Sequence, residues 1–189
     1  MLLNGKEKNC SQCGLSLIEA AMVLALSAVV VAGAVMYYGS ASDNSKVQRA
    51  QSQIGTIQSA VASLYANQGS YTGLNSDSLK SGRMLPTSYL HTVAGSSGAT
   101  TTIVNPWKGL VTVDVDTRDA TTYNLVYQQV PAGACVKLLT SELGTSLRRI
   151  GTASITGGAA NANLPIPVTL SAATAACGTG TATLTFNLA

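Results

Sequence analysis

The sequence predicts an α+β fold: a long N-terminal α-helix packed on a mainly antiparallel β-sheet, with additional short helices. Three observations carry this. An apolar run over residues 15–38 passes, with no proline before Pro86, into a stripe of apolar residues at helical spacing. The C-terminal half holds three strand-like runs. Two segments of helical spacing lie among those runs, and helices combined with mostly antiparallel strands form α+β arrangements. Strands distant in sequence then pair in one sheet against the long helix.

The first element is the apolar segment. At 189 residues the chain has room for one modest domain and an appendage. Only 10% of residues are charged, and the positive mean hydropathy comes mostly from the N-terminal region. No charged residue occurs from Ala20 to Ser42. At about 1.5 Å per residue, some 20 helical residues cross a hydrocarbon core about 30 Å thick. Lys6 and Lys8 precede the segment, which places the N-terminus in the cytoplasm and the bulk outside. A secretory signal peptide fits the same outline, with Ala32-Gly33-Ala34 as its cleavage site, and so does a plain single-pass anchor. Both leave Glu19 without a role, although a carboxylate in lipid costs a few kcal/mol unless neutralised or paired. A cut between Gly14 and Leu15 gives it one. The new α-amino group is cationic, and Glu19 sits one turn into a helix whose dipole favours an anion. The amine then has two candidate partners: the Glu19 of its own chain, in a partial pair, or the Glu19 of a neighbouring copy that it joins in the bilayer.

The helix continues beyond the membrane. Val47, Ala50, Ile54, Ile57, Val61 and Leu64 form one stripe, with Lys46, Gln48, Arg49, Gln51 and Gln53 largely off it. Gly69 is the expected stop, giving a helix of roughly 80 Å. Gly33 and Gly39 are weak points, each costing about 1 kcal/mol relative to Ala. Residues 70–109 read as a long connection with a short helix over residues 76–80, ending in the turn Asn105-Pro106-Trp107-Lys108-Gly109. Next comes a strand in which Val111, Val113 and Val115 face inward and Thr112, Asp114 and Asp116 outward. Residues 123–130 form a second strand, and residues 181–188, alternating Leu184, Phe186 and Leu188, a third. Residues 134–147 have helical spacing, and residues 171–177 form a short helix capped by Ser171.

The run Gly14-Leu15-Ser16-Leu17-Ile18-Glu19, entering an apolar helix, resembles the prepilin peptidase site of type IV pilins. A leading Leu after a 14-residue leader looks more like the type IVb branch. The Asn105–Gly109 turn motif is similar to one in type IVb pilins. Ala134-Cys135-Val136-Lys137-Leu138, Leu143-Gly144-Thr145-Ser146 and residues 40–46 and 65–74 look like the corresponding stretches of bundle-forming pilins. The resemblance is strong over residues 14–75, patchy over 105–147 and faint beyond. It implies cleavage after Gly14 by a prepilin peptidase, N-methylation of Leu15 and an assembly role for Glu19. Residues 1–14 are then a leader, 15–42 the membrane and fibre-core helix, and 43–189 a globular domain that includes the amphipathic half of the helix. Also implied are a precursor in the bacterial inner membrane, an extracellular fibre of many copies, the pilus assembly machinery as partner, and adhesion, autoaggregation or colonisation through host or bacterial surfaces.

After such cleavage Cys135 and Cys177 are the remaining cysteines, in an oxidising compartment. The resemblance implies that they form a disulfide, worth about 4 kcal/mol for a loop of that length; two unpaired buried thiols are the alternative. Cys10 and Cys13 supply two ligands where zinc usually takes four, and read as leader thiols discarded on cleavage. His91 is alone in a Ser/Thr/Gly-rich loop, so no nucleophile–histidine arrangement is assembled. Asp114, Asp116 and Asp119 read as a solvated face in preference to a calcium site, and Arg148-Arg149 as an exposed basic pair. A net charge of +3 offers no nucleic-acid footprint. No catalytic residue, cofactor or metal is expected. The competing functions are a conjugative thin pilus, a minor pilin or pseudopilin, and a secreted or anchored binding domain that does not polymerise. Abundance in sheared fibres separates major from minor subunits, and genetic context separates conjugation from colonisation.

Overall fold

The computed structural model describes residues 16–95, 98–154 and 161–189. Gly14, Leu15, Cys10 and Cys13 lie outside them. The chain divides after Ala41 into two compact units. Helix α1, Leu17–Tyr65, contributes to both.

In the first unit the helix is built from Ala, Leu, Met and Val with no proline, and good helix formers outnumber the β-branched residues that crowd the preceding turn. Every described side chain from Ser16 to Ala41 is exposed, Leu24 at 70% and Val29 at 72%.

In the second unit α1 buries one face, as its spacing predicts. Val47, Ala50, Ile54, Ile57 and Val61 are each 6% exposed or less. They cover a seven-stranded antiparallel sheet of order β1-β2-β3-β4-β7-β5-β6. Its strands are β1 Leu90–Gly95, β2 Gly98–Val104, β3 Leu110–Val115, β4 Tyr123–Pro131, β5 Leu147–Ser154, β6 Asn161–Leu164 and β7 Thr181–Leu188. Gln53, which the stripe leaves on the polar side, is buried and pins helix to sheet. Its Oε1 accepts from the Tyr127 hydroxyl at 3.0 Å, and its Nε2 donates to the Val104 carbonyl at 2.8 Å. A buried amide is tolerated because both ends are bonded.

The expected strands are present, and nonadjacent β4 and β7 pair through Leu125↔Phe186 and Tyr127↔Leu184. Three expectations change. The connection before Asn105 contains the β1–β2 hairpin, which joins β3 through only Ile103↔Val111 and Val104↔Leu110. Its Thr-rich strands have little apolar surface to bury, so they carry little alternation. The helix expected over residues 134–147 is α3, Ala132–Thr140: Ser141 turns extended, Gly144 takes a positive φ of 90°, and Leu147 enters β5. Helix α4, Leu170–Cys177, is capped two residues earlier than expected, since Thr169 and not Ser171 accepts from the Ala172 N–H. Helix α2, Ser76–Ser81, lies where expected and begins with a capping box between Asn75 and Ser78.

Candidate functional site

Two features stand out, one in each unit. The first is the exposed apolar helix with one carboxylate. Glu19 lies in the first turn of α1, and the turn is closed by the Ala20 N–H donating to the Ser16 carbonyl at 3.0 Å. Leu17, Ile18, Met22 and Val23 around it are 57–89% exposed. The helix is long and apolar enough for one membrane crossing. A helix apolar on all sides is stable in lipid or among similar helices, and a patch of this size is rare on a soluble monomer. A lone carboxylate at its start can accept one cationic group where no other charge competes.

The second feature is the frame of the C-terminal region. Cys135 in α3 and Cys177 in α4 form a disulfide with a Cα–Cα distance of 5.9 Å, and both are fully buried. The segment between them contains β5, β6 and most of α4, so the bond closes that part of the surface at its root. The turn before β3 is fixed by Asn105. Its Oδ1 accepts from the Trp107 and Gly109 N–H groups at 2.9 and 2.8 Å, and its Nδ2 donates to the Gln128 carbonyl at 2.6 Å. A Cβ on Gly109 would lie 1.9 Å from that carbonyl oxygen, so only glycine fits there.

The remaining candidates separate. Asp116 is not on a solvated face. Strand β3 ends at Val115, and the next residue turns inward, 6% exposed. Its Oδ2 accepts from Arg149 at 2.6 Å and from the Asn187 amide at 3.0 Å, while its Oδ1 accepts from the Arg118 N–H at 3.0 Å. Arg149 is therefore half-buried in an ion pair, whereas Arg148 is exposed. Residues 33 positions apart give no local signal of such a pair. Asp114 stays exposed; partial burial, then the Asp77 carboxylate, raises its carboxyl above the usual range. Asp119 is held below that range by the Thr121 hydroxyl and N–H, which both donate to it. Among the described residues no cluster suited to a metal ion forms. His91 is exposed on β1, paired with Thr102, and not in a loop.

Residues 39–187 match the Bundlin family model. The "Major structural subunit of bundle-forming pilus" of Escherichia coli O127:H6 (strain E2348/69 / EPEC) is 42% identical over 139 residues, which cover 73% of this chain and 69% of that protein. The protein of the same name from Escherichia coli O111:H- matches to the same extent. Among solved structures, a type IV b pilin from Salmonella typhi aligns over 74% of this chain and 97% of its own, with a TM-score of 0.54 and 18% identity. TcpA, a type IV pilin from Vibrio cholerae El Tor biotype, aligns over 77% and 99%, with a TM-score of 0.52 and 14% identity. The two structures share the fold of this chain: a long helix on an antiparallel sheet. By the family model and by the relatives' identity and coverage, the chain belongs to the Bundlin family.

Proposed function

We propose that the chain is the major structural subunit of a type IVb-like pilus, cut after Gly14 by a prepilin peptidase, methylated on Leu15 and polymerised through its N-terminal helix. Residues 1–14 are the leader, residues 15–42 the membrane and fibre-core helix, and residues 43–189 the globular domain. The precursor sits in the bacterial inner membrane with its N-terminus cytoplasmic, where the peptidase and the assembly machinery meet it. The product is an extracellular fibre serving adhesion, autoaggregation or colonisation.

The observation that carries this reading is the fully exposed apolar half of α1, interrupted by Glu19 alone. Fully burying one Leu or Val side chain contributes about 1.5–3 kcal/mol, so a bundle of such helices replaces lipid as their surroundings. Family membership supports the reading, because the relatives bear the name of a pilus subunit. The disulfide supports it as well, since disulfides persist outside the reducing cytosol.

The deciding experiment is the N-terminal sequence and mass of the protein recovered from the cell surface. A chain beginning at N-methylated Leu15 is expected. A chain beginning at Val35 would mean signal-peptide cleavage and loss of the polymerisation helix. One beginning at Met1 would mean a simple anchor, and the pilin reading would fall.

A further inference from the structure

The end at which α1 enters the second unit is cationic. Lys46 and Lys108 line one open groove there, of about 600 Å³, together with Trp107, Gln129 and Pro131. Arg49 lies beside it, facing Asn105 and Pro106, and Lys137 donates to Asn44 at the same end. Asp43 is the carboxylate nearest them in sequence. Most other acidic groups are at the far end of β3, where Asp116 is taken by Arg149, Asp77 by Lys80 and Asp119 by Thr121. The carboxylates at that end lie among Lys80, Arg118 and Arg149, whereas among the described residues no salt bridge engages Lys46, Arg49, Lys108 or Lys137.

The groove is also held in shape. Asn105 fixes the turn that presents Trp107 and Lys108. Lys108 and Gln129 adopt positive φ angles of 66° and 57°, strained for residues with a Cβ. Such strain collects where geometry serves a function. Trp107, the only tryptophan in the chain, is half-buried beside the two lysines.

Chain connectivity says what this end meets. Tyr37 and Tyr38, 78% and 77% exposed, close the apolar segment with the aromatic pair typical of a bilayer interface. Lys46 follows Tyr38 by about two helical turns. Lysines at that distance from a bilayer meet headgroup phosphates, and an indole suits the interface beside them. A second copy fits less well, because its carboxylates around the end of β3 lie among Lys80, Arg118 and Arg149, so that face presents no uniform negative charge.

We propose that this groove docks on anionic phospholipid headgroups, so that before assembly the globular unit rests on the bilayer through Lys46, Lys108 and Trp107. The inference depends on the membrane-inserted precursor proposed above. Each lysine near an anionic surface is worth about a five-fold factor, so neutralising two weakens docking about 30-fold.

Trp107 is its own probe. The full chain is reconstituted into vesicles of phosphatidylcholine, or of phosphatidylcholine and phosphatidylglycerol in equal amounts. Emission and acrylamide quenching are then read. A blue shift and reduced quenching are expected only with phosphatidylglycerol, and high salt reverses them. Lys46→Gln/Lys108→Gln returns Trp107 to its phosphatidylcholine values. Arg49→Gln/Lys137→Gln, outside the strained turn, acts in the same direction, and Lys80→Gln at the other end has no effect. Identical emission and quenching in the two vesicle types would overturn the proposal. So would shielding that follows protein density and ignores lipid charge, since that outcome assigns the groove to a second copy. Flotation separates the two readings: a chain that fails to float with either vesicle sinks the membrane-inserted precursor, and one that floats with Trp107 unshielded sinks only the docking.

Discussion

Glu19 and Asp116 show two ways in which a carboxylate becomes costly to neutralise. Glu19 stands at the start of an apolar helix with no charge in the next 23 residues, and in the proposed assembly its partner is the amine of another copy. Glu19→Gln keeps size and helix geometry. The variant is expected to accumulate in the membrane with the globular unit folded and to build few or no fibres. Electron microscopy of sheared cells reads the outcome, and normal fibre yield would remove Glu19 from the assembly mechanism. Asp116 is satisfied inside its own unit. Asp116→Ala strands Arg149 and the Asn187 amide, and is expected to cost about 2–4 kcal/mol. A clear drop in the denaturant midpoint of the detergent-solubilised chain checks it, and an unchanged midpoint would mean that the network is a surface ornament. Glu19 was legible because it is the one charge in an apolar run. Asp116 was not, because its strand pattern ended one residue too soon and its partners are distant in sequence.

Among elements, the pair α3 and α4 carries the clearest prediction. The disulfide between them spans 42 positions, and the chain-entropy estimate for such a loop is about 4 kcal/mol. Replacing Cys135 and Cys177 by serine is expected to lower stability by about that much and to admit proteases between β5 and α4. Limited proteolysis followed by mass spectrometry locates the cuts, and equal protection of the two proteins would sink the idea. The same region marks the limit of pattern reading. The stripe of α1 and the alternation of β3 and β7 each present one buried face, so spacing reveals them. In β5 the register slips between Leu147 and Arg149, which breaks the alternation a reader would look for. The helical spacing of α3 then runs on into it. The β1 and β2 strands fail for another reason: as an exposed hairpin at the sheet edge, they bury too little to need an apolar face.

At the scale of the molecule, the two units have opposite requirements. The second buries its own core and closes it covalently, while the first leaves its whole apolar surface open. Removing residues 1–42 is therefore expected to give a soluble monomer that forms no fibres, as checked by light scattering and microscopy. Long fibres from that truncated domain would refute the helix-bundle mechanism. The position of β7 has a further consequence, in the order of events during synthesis. It lies between β4 and β5, yet it is made after every other strand. While the chain emerges, β4 can pair only with β3 and β5 only with β6, and the two halves of the sheet can join only when residues 181–188 arrive. Translation and export thus leave a half-built sheet waiting on its last strand. A ribosome that stalls late releases a product with two open edges, the kind of surface that proteases and chaperones recognise.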